Sequence, residues 1–203
     1  DVEFASKSLV LAYDPDTDTG ARLADGEPWY EVLDSTDETV ARSDPDLDPL
    51  GYRAVQMFEL AEDYYGVEGL RSSLTGKLQV DPEEAHLLAG VETGNRAGAF
   101  VYKNMAVDHD VPYVELPDEL NFSNPAYADR YAEATYTTDE GTTIEGTTIL
   151  YNFTVPTTAP NPEAGRAFGA FLLANPDLLT ENGLVVTDAF PRERGDVPSE
   201  VRP

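Results

Sequence analysis

The 203-residue chain has no cysteine. Disulfides, thiolate zinc sites and a cysteine nucleophile are therefore excluded, while the compartment stays open, since oxidising compartments do not require disulfides. Positive charge is scarce as well: 13 Lys plus Arg face 39 Asp plus Glu, a formal net charge of −26, and Lys7, Lys77 and Lys103 are the only lysines. A nucleic-acid binder needs a basic footprint, so that class is excluded too. The two histidines, His86 and His109, are too far apart in sequence to form a ligand or general-base motif. No segment approaches the roughly 20 apolar residues of a membrane-spanning helix. No basic region followed by an apolar one opens the chain, so any export signal is expected to lie upstream or to have been removed.

The chain does have 41% hydrophobic residues, aromatics alone making up 10% of the chain, and repeated amphipathic segments. These argue for a packed core rather than disorder. The acid is spread along the chain rather than gathered in a tail, as on the surface of a halophile's protein. Molar salt shortens the Debye length to about 3 Å and screens the self-repulsion.

Ser8 to Tyr13 reads as a buried strand that stops at Asp14-Pro15, residues 14–28 as polar turns, and Trp29 to Leu33 as a short apolar helix turn. After Val40-Ala41-Arg42, the spacing of Leu50, Ala54, Phe58, Ala61 and Tyr65 predicts a helix from about 50 to 65, closed by Gly66. Asp81-Pro82-Glu83-Glu84 predicts a second helix start, with Asp81 as N-cap, ending near Gly94. Ala97 to Tyr102 and Tyr113 to Leu116 read as strands around a short helix through Met105 and His109. Strands alternating with helices imply a mixed or parallel sheet. Two β-rich runs, Arg130 to Thr137 and Thr147 to Pro156, flank an acidic turn at Asp139-Glu140-Gly141. From Asn161 the pattern is helical, with Ala164, Ala167, Phe168, Phe171 and Leu172 on one face, and the tail from Arg192 is polar.

The run Asp44-Pro45-Asp46-Leu47-Asp48-Pro49-Leu50-Gly51-Tyr52-Arg53 resembles the Asp-Pro-x-x-Asp-Pro-x-Gly-Tyr-Arg segment of the archaeal tungstate/molybdate-binding proteins, the solute receptors of ABC importers. Three later segments resemble the same family in the same order: Gly98 to Ala106, then Tyr113-Val114-Glu115-Leu116-Pro117 with Asn124-Pro125-Ala126-Tyr127-Ala128, then Val155 to Ala164 with Phe168 and Phe171-Leu172-Leu173. The resemblance implies an α/β fold of the type II periplasmic-binding-protein kind, a mixed sheet flanked by helices in each of two lobes. It makes residues 1–155 a nearly complete second lobe, with Leu9–Tyr13 as the first crossing strand and the region around Tyr151–Val155 as the return. Residues 156–203 would be helices of an incomplete first lobe, whose serine loop has no counterpart in this sequence.

What the resemblance implies for function is an extracellular, cell-surface receptor of a halophilic archaeon, lipid-anchored through an upstream segment, that passes tungstate or molybdate to the membrane permease of an ABC transporter. No enzyme activity and no cofactor are expected. A helix start offers free backbone N–H groups and a positive dipole end, which makes the N–H groups of Leu50 and Gly51 oxyanion donors. Tyr102 is a further donor, and the helix start at Glu83 and Glu84 a weaker one. The resemblance also implies that carboxylates join the tungsten or molybdenum itself, with Asp48 as the best match and Asp44 as runner-up. The second carboxylate would fall where this chain has Val101. Against these roles, Asp-Pro turns are common, so Asp44 and Asp48 also fit as plain turn and cap residues. Asn121-Phe122-Ser123 is a glycosylation sequon in an expected loop; Asn152-Phe153-Thr154 is a second, inside an expected strand.

Other readings are a sulfate or phosphate receptor, the sensing domain of a regulator, and a carboxylate-based hydrolase. The sequence offers the last no nucleophile elbow, no phosphate-binding glycine loop and no His-carboxylate cluster at ligand spacing.

Overall fold

The computed structural model describes residues 1–82, 84–195 and 197. Two sheets organise it. Strand β1 (Val2–Ser6) and strand β2 (Leu9–Tyr13) are separated only by Lys7 and Ser8, yet they enter different sheets. The expected crossing strand Leu9–Tyr13 lies wholly inside the larger sheet, and the passage between sheets is at Lys7 and Ser8.

Helix α1 (Asp18–Ala24) occupies the stretch expected to be polar turns. Its start is local chemistry: the Thr17 hydroxyl accepts from the Gly20 N–H at 3.0 Å. Helix α2 (Trp29–Ser35) and strand β3 (Val40–Ser43) follow, then α3 (Pro49–Tyr65). Gly66 closes α3 as the sequence predicts, at φ 67°, and the start lies one residue before the expected 50, with Pro49 at the first position and Asp48 as N-cap. One face of α3 buries Leu50, Ala54, Phe58 and Ala61, and Phe58 meets Phe100 edge-on with ring centroids 5.1 Å apart.

Helix α4 (Leu70–Lys77) and strand β4 (Gln79–Asp81) were not expected, and they change the next element. Asp81 is not the predicted N-cap. Its backbone is extended, because Ser43 pairs with it in the parallel β3–β4 ladder, and its carboxylate is taken by Arg96. Helix α5 (Ala85–Glu92) therefore starts later, at the Glu84 position and without a side-chain cap bond. Strand β5 (Gly98–Tyr102), helix α6 (Lys103–Asp108) and strand β6 (Tyr113–Glu115) complete a five-stranded mixed sheet in the order β4-β3-β5-β2-β6.

Short helix α7 (Ala128–Tyr131) leads into the hairpin β7 (Thr135–Thr137) and β8 (Thr143–Glu145), whose turn holds the acidic residues at 139 and 140. Gln56 on α3 donates to the Ile144 carbonyl at 2.8 Å, and Asp46 accepts from the Asp139 N–H at 2.7 Å and from the Tyr136 hydroxyl at 3.0 Å. Strand β9 (Leu150–Phe153) then returns to β1, and with β10 (Arg192–Glu193) they form the second sheet, in the order β10-β1-β9. Helices α8 (Pro162–Ala174) and α9 (Pro176–Glu181) pack on it, through Leu172, Leu173 and Leu179 against Phe4 and Phe153. The predicted apolar face of α8 is only partly covered: Gly169 sits against the Phe153 ring, while Phe168 is 61% and Phe171 49% exposed.

Candidate functional site

In the larger sheet β3 runs parallel to β4 and β5, whereas β2 runs antiparallel to β5 with Leu9 opposite Tyr102. The C-terminal ends of β3, β4 and β5 and the N-terminal end of β2 therefore meet at one edge. Ligands of open α/β sheets bind outside such an edge, because the loops there diverge to leave a crevice. The residues delivered to it are the acidic turn after β3, Glu84 after β4, Tyr102 at the end of β5, Lys7 before β2, and Arg53 in the first turns of α3.

Tyr102 is 4% exposed. Its hydroxyl accepts from Arg53 Nη1 at 2.7 Å. Burial pushes the phenol up to about 12; Arg53 pulls it down, and Glu84 and Asp48 push it further up. It is thus a neutral O–H at physiological pH, with its proton still available to donate. Glu84 is half-buried in the same field. Burial and then Asp48 raise its pKa, while Lys7 and Arg53 oppose.

Asp48 is at this edge, but its Oδ1 is already engaged, accepting from the Leu50 N–H at 2.8 Å. The Leu50 N–H, expected to be free, is thus engaged by the cap. The Gly51 N–H likewise donates to the Asp48 carbonyl at 3.0 Å. A capped helix start spends its orphan donors on the cap. Asp44 stands apart: its Oδ1 accepts from the Asp46 N–H at 2.9 Å, and its own N–H donates to the Asp81 carbonyl at 2.8 Å. Its carbonyl touches α3 so closely that a Cβ on Gly51 would lie 2.4 Å from it.

The same turn occurs at the opposite edge of the sheet. Asp14 Oδ1 accepts from the Asp16 N–H at 3.0 Å, and Gly20 of α1 lies against the Asp14 carbonyl. The Asp-Pro-Asp turn is therefore a device for joining strand to helix, and what distinguishes the Tyr102 edge is its cations.

Val101 is buried and pairs with Val10 inside the sheet, so no carboxylate stands at that position. Glu83 lies outside the described residues. Asn121, the expected glycosylation acceptor, is 5% exposed, and its Nδ2 donates to the Leu116 carbonyl at 3.0 Å, so the nitrogen faces inward. His109 pairs with Glu92 at 2.9 Å on the surface, and His86 is exposed on α5. Among the described residues no group of three or more His, Cys, Asp or Glu is arranged to hold a metal ion.

Sequence reasoning missed Arg53 and Lys7. Arg22, Arg71, Arg96, Lys103, Arg130, Arg192 and Arg194 all pair with carboxylates. Among the described residues, no carboxylate lies within 4.0 Å of Arg53 or Lys7. Lys7 Nζ lies 4.4 Å from the Tyr102 ring centroid and 5.4 Å from that of Tyr151. Arg53 lay within the quoted Gly-Tyr-Arg run, so its type was visible, though not its freedom from ion pairing.

Comparison with known proteins bears on this geometry. The sequence pattern of the family described as bacterial extracellular solute-binding protein matches residues 1–184. An uncharacterized solute-binding protein of Halobacterium salinarum is 48% identical over 198 residues, which is 97% of this chain and 64% of the relative. A molybdate/tungstate-binding protein of Thermococcus kodakarensis is 32% identical over 227 aligned residues, covering 99% of this chain and 64% of the relative. The chain thus spans a little under two thirds of the length of these relatives. Among solved structures, the periplasmic molybdate-binding protein of Azotobacter vinelandii shares the fold with a TM-score of 0.50 at 14% identity, over 92% of this chain and 68% of that one.

Proposed function

Because the chain belongs to the family of bacterial extracellular solute-binding proteins, we propose that it acts as a receptor for a tetrahedral oxyanion, tungstate or molybdate, and delivers it to the membrane permease of an ABC importer. The observation that carries this reading is the Arg53–Tyr102 pair at the sheet edge where loops converge, a cation and a phenolic donor, with no carboxylate among the described residues within 4.0 Å of Arg53. Such an oxyanion is fully deprotonated at neutral pH, so donors alone recognise it, whereas a protonated phosphate also needs an acceptor. Arg53 and the Tyr102 O–H supply the donors. Leu50 and Gly51 contribute the positive end of the α3 dipole rather than free N–H groups.

Asp48 keeps Oδ2 for the ligand while Oδ1 caps the helix, and a hard carboxylate oxygen suits a high-valent tungsten or molybdenum centre. With Val101 in place of a second acid, hydrogen bonds hold the remaining oxygens. Glu84 borders the site, and Asp44 serves the turn. The five-stranded sheet with its helices forms one lobe; the smaller sheet with α8 and α9 contributes to the other. The ligand binds beside the passage between them, and closure of that passage retains it.

Calorimetric titration in multimolar KCl tests this, with tungstate against sulfate. Saturable binding of tungstate over sulfate, weakened about tenfold or more in Tyr102→Phe by loss of a hydrogen bond to a charged group, is the expected outcome. Heat from neither anion, or full affinity in both Tyr102→Phe and Arg53→Met, would overturn the assignment.

A further inference from the structure

Carboxylates outnumber cations three to one in this protein, 39 acidic to 13 basic residues, yet among the described residues none lies within 4.0 Å of Lys7. Lys77 also goes without one, donating to the Asp34 carbonyl at the surface. What sets Lys7 apart is its place, half-buried between two aromatic rings, Tyr102 of the larger sheet and Tyr151 of the smaller, at 4.4 and 5.4 Å. Its backbone is fixed at the passage between sheets, where the Lys7 N–H donates to the Ile149 carbonyl at 2.9 Å. Ring faces hold a cation by their quadrupole without neutralising it. The full charge of Lys7 therefore stays available beside the Tyr102–Arg53 donors, and it acts on Glu84 across the same edge.

Resting on the oxyanion reading above, we propose that Lys7 is the residue by which this site reads ligand charge, selecting a dianion over a monoanion of the same shape. A dianion gains twice the Coulomb energy from one nearby cation that a monoanion gains. The hydrogen bonds from Arg53 and Tyr102, by contrast, follow oxygen positions that two isosteric anions share. Molar salt sharpens the distinction: with a Debye length of about 3 Å, the distant acidic surface is screened, and the partly buried Lys7 is screened much less. The position also explains why a lysine stands in the short link between sheets, since there it can meet a ligand held by the larger sheet while still touching a ring of the smaller one.

Tungstate and perrhenate are tetrahedral and nearly equal in size, and they differ by one unit of charge. The test is calorimetric titration of both into the wild type, Lys7→Met and Lys7→Arg in multimolar KCl, with melting temperatures recorded alongside. Lys7→Met is expected to weaken tungstate roughly 30-fold, as for loss of one partner of a partly buried charge pair, and perrhenate only about fivefold, since the monoanion loses half the Coulomb energy. Lys7→Arg restores most of the tungstate affinity. Equal weakening of both anions would make Lys7 a shaper of the site and overturn the inference, as would unchanged tungstate affinity in Lys7→Met. Wild-type protein that binds neither anion would instead remove the oxyanion reading, and this inference with it.

Discussion

Asp48 caps α3 and is proposed to reach the oxyanion as well, and a pair of substitutions separates the two roles. Its Oδ1 accepts from the Leu50 N–H at 2.8 Å, a working N-cap on a 17-residue helix. Asp48→Ala removes that acceptor and should cost about 1 kcal/mol. For a chain of this length that is roughly 2–4 °C in melting temperature. Asp48→Asn keeps an amide oxygen in the same place and removes the charge, so its stability should lie within a few tenths of a kcal/mol of wild type.

Tungstate affinity then reads the second job, and its sign is diagnostic. Were Asp48 a bystander, removing a carboxylate from a site that holds an anion would tighten binding. As a ligand of the metal centre through Oδ2, its loss weakens binding, by about tenfold or more if the contact resembles a hydrogen bond to a charged group. The assay is thermal unfolding followed by circular dichroism and tungstate titration, at one KCl concentration throughout. Equal stability of Asp48→Ala and wild type would refute the cap. Tighter tungstate binding by a fully folded Asp48→Asn would refute the ligand role.

Two glycines should respond in opposite directions. Gly51→Ala places a Cβ 2.4 Å from the Asp44 carbonyl and 2.6 Å from the Pro45 nitrogen, all backbone, so the start of α3 must move; a loss of about 1–3 kcal/mol is expected from denaturant melts. Gly76→Ala in α4 meets nothing within 4 Å and should gain about 0.4–1 kcal/mol by restricting the unfolded chain. Glu3 links β1 to β10, bonding Arg192 Nε at 2.6 Å and Arg194 Nε at 2.9 Å. Burial raises its pKa, but the Arg194 and Arg192 bonds outweigh burial and hold it below the ordinary 4.5. The sign follows: the stabilisation is present above the unfolded value and lost as pH falls through the lower folded value. Glu3→Gln should therefore be less stable than wild type near neutrality, with the gap closing in acid. A gap independent of pH would show that the carboxylate charge contributes nothing.

Features that rest on local chemistry can be read from the residues alone. Helix α3 was legible to within a residue, because apolar residues at helical spacing and a closing Gly act within a few residues of one another. The strands Leu9–Tyr13 and Gly98–Tyr102 were legible as apolar runs, and the order of motifs carried the family. Features that depend on partners distant in sequence emerge only in the fold. Asp81 looked like a cap until pairing with Ser43 extended it and Arg96 claimed its carboxylate. Asn121 looked like a loop acceptor until packing turned its nitrogen inward. The acids around Asp48 could be found by eye, but the cations could not be singled out. In so acidic a chain every base has acids to pair with, and that among the described residues no carboxylate lies within 4.0 Å of Lys7 or Arg53 is a property of where the fold places the carboxylates. A charge is visible in one letter of sequence; whether it is already neutralised is settled by distance in three dimensions.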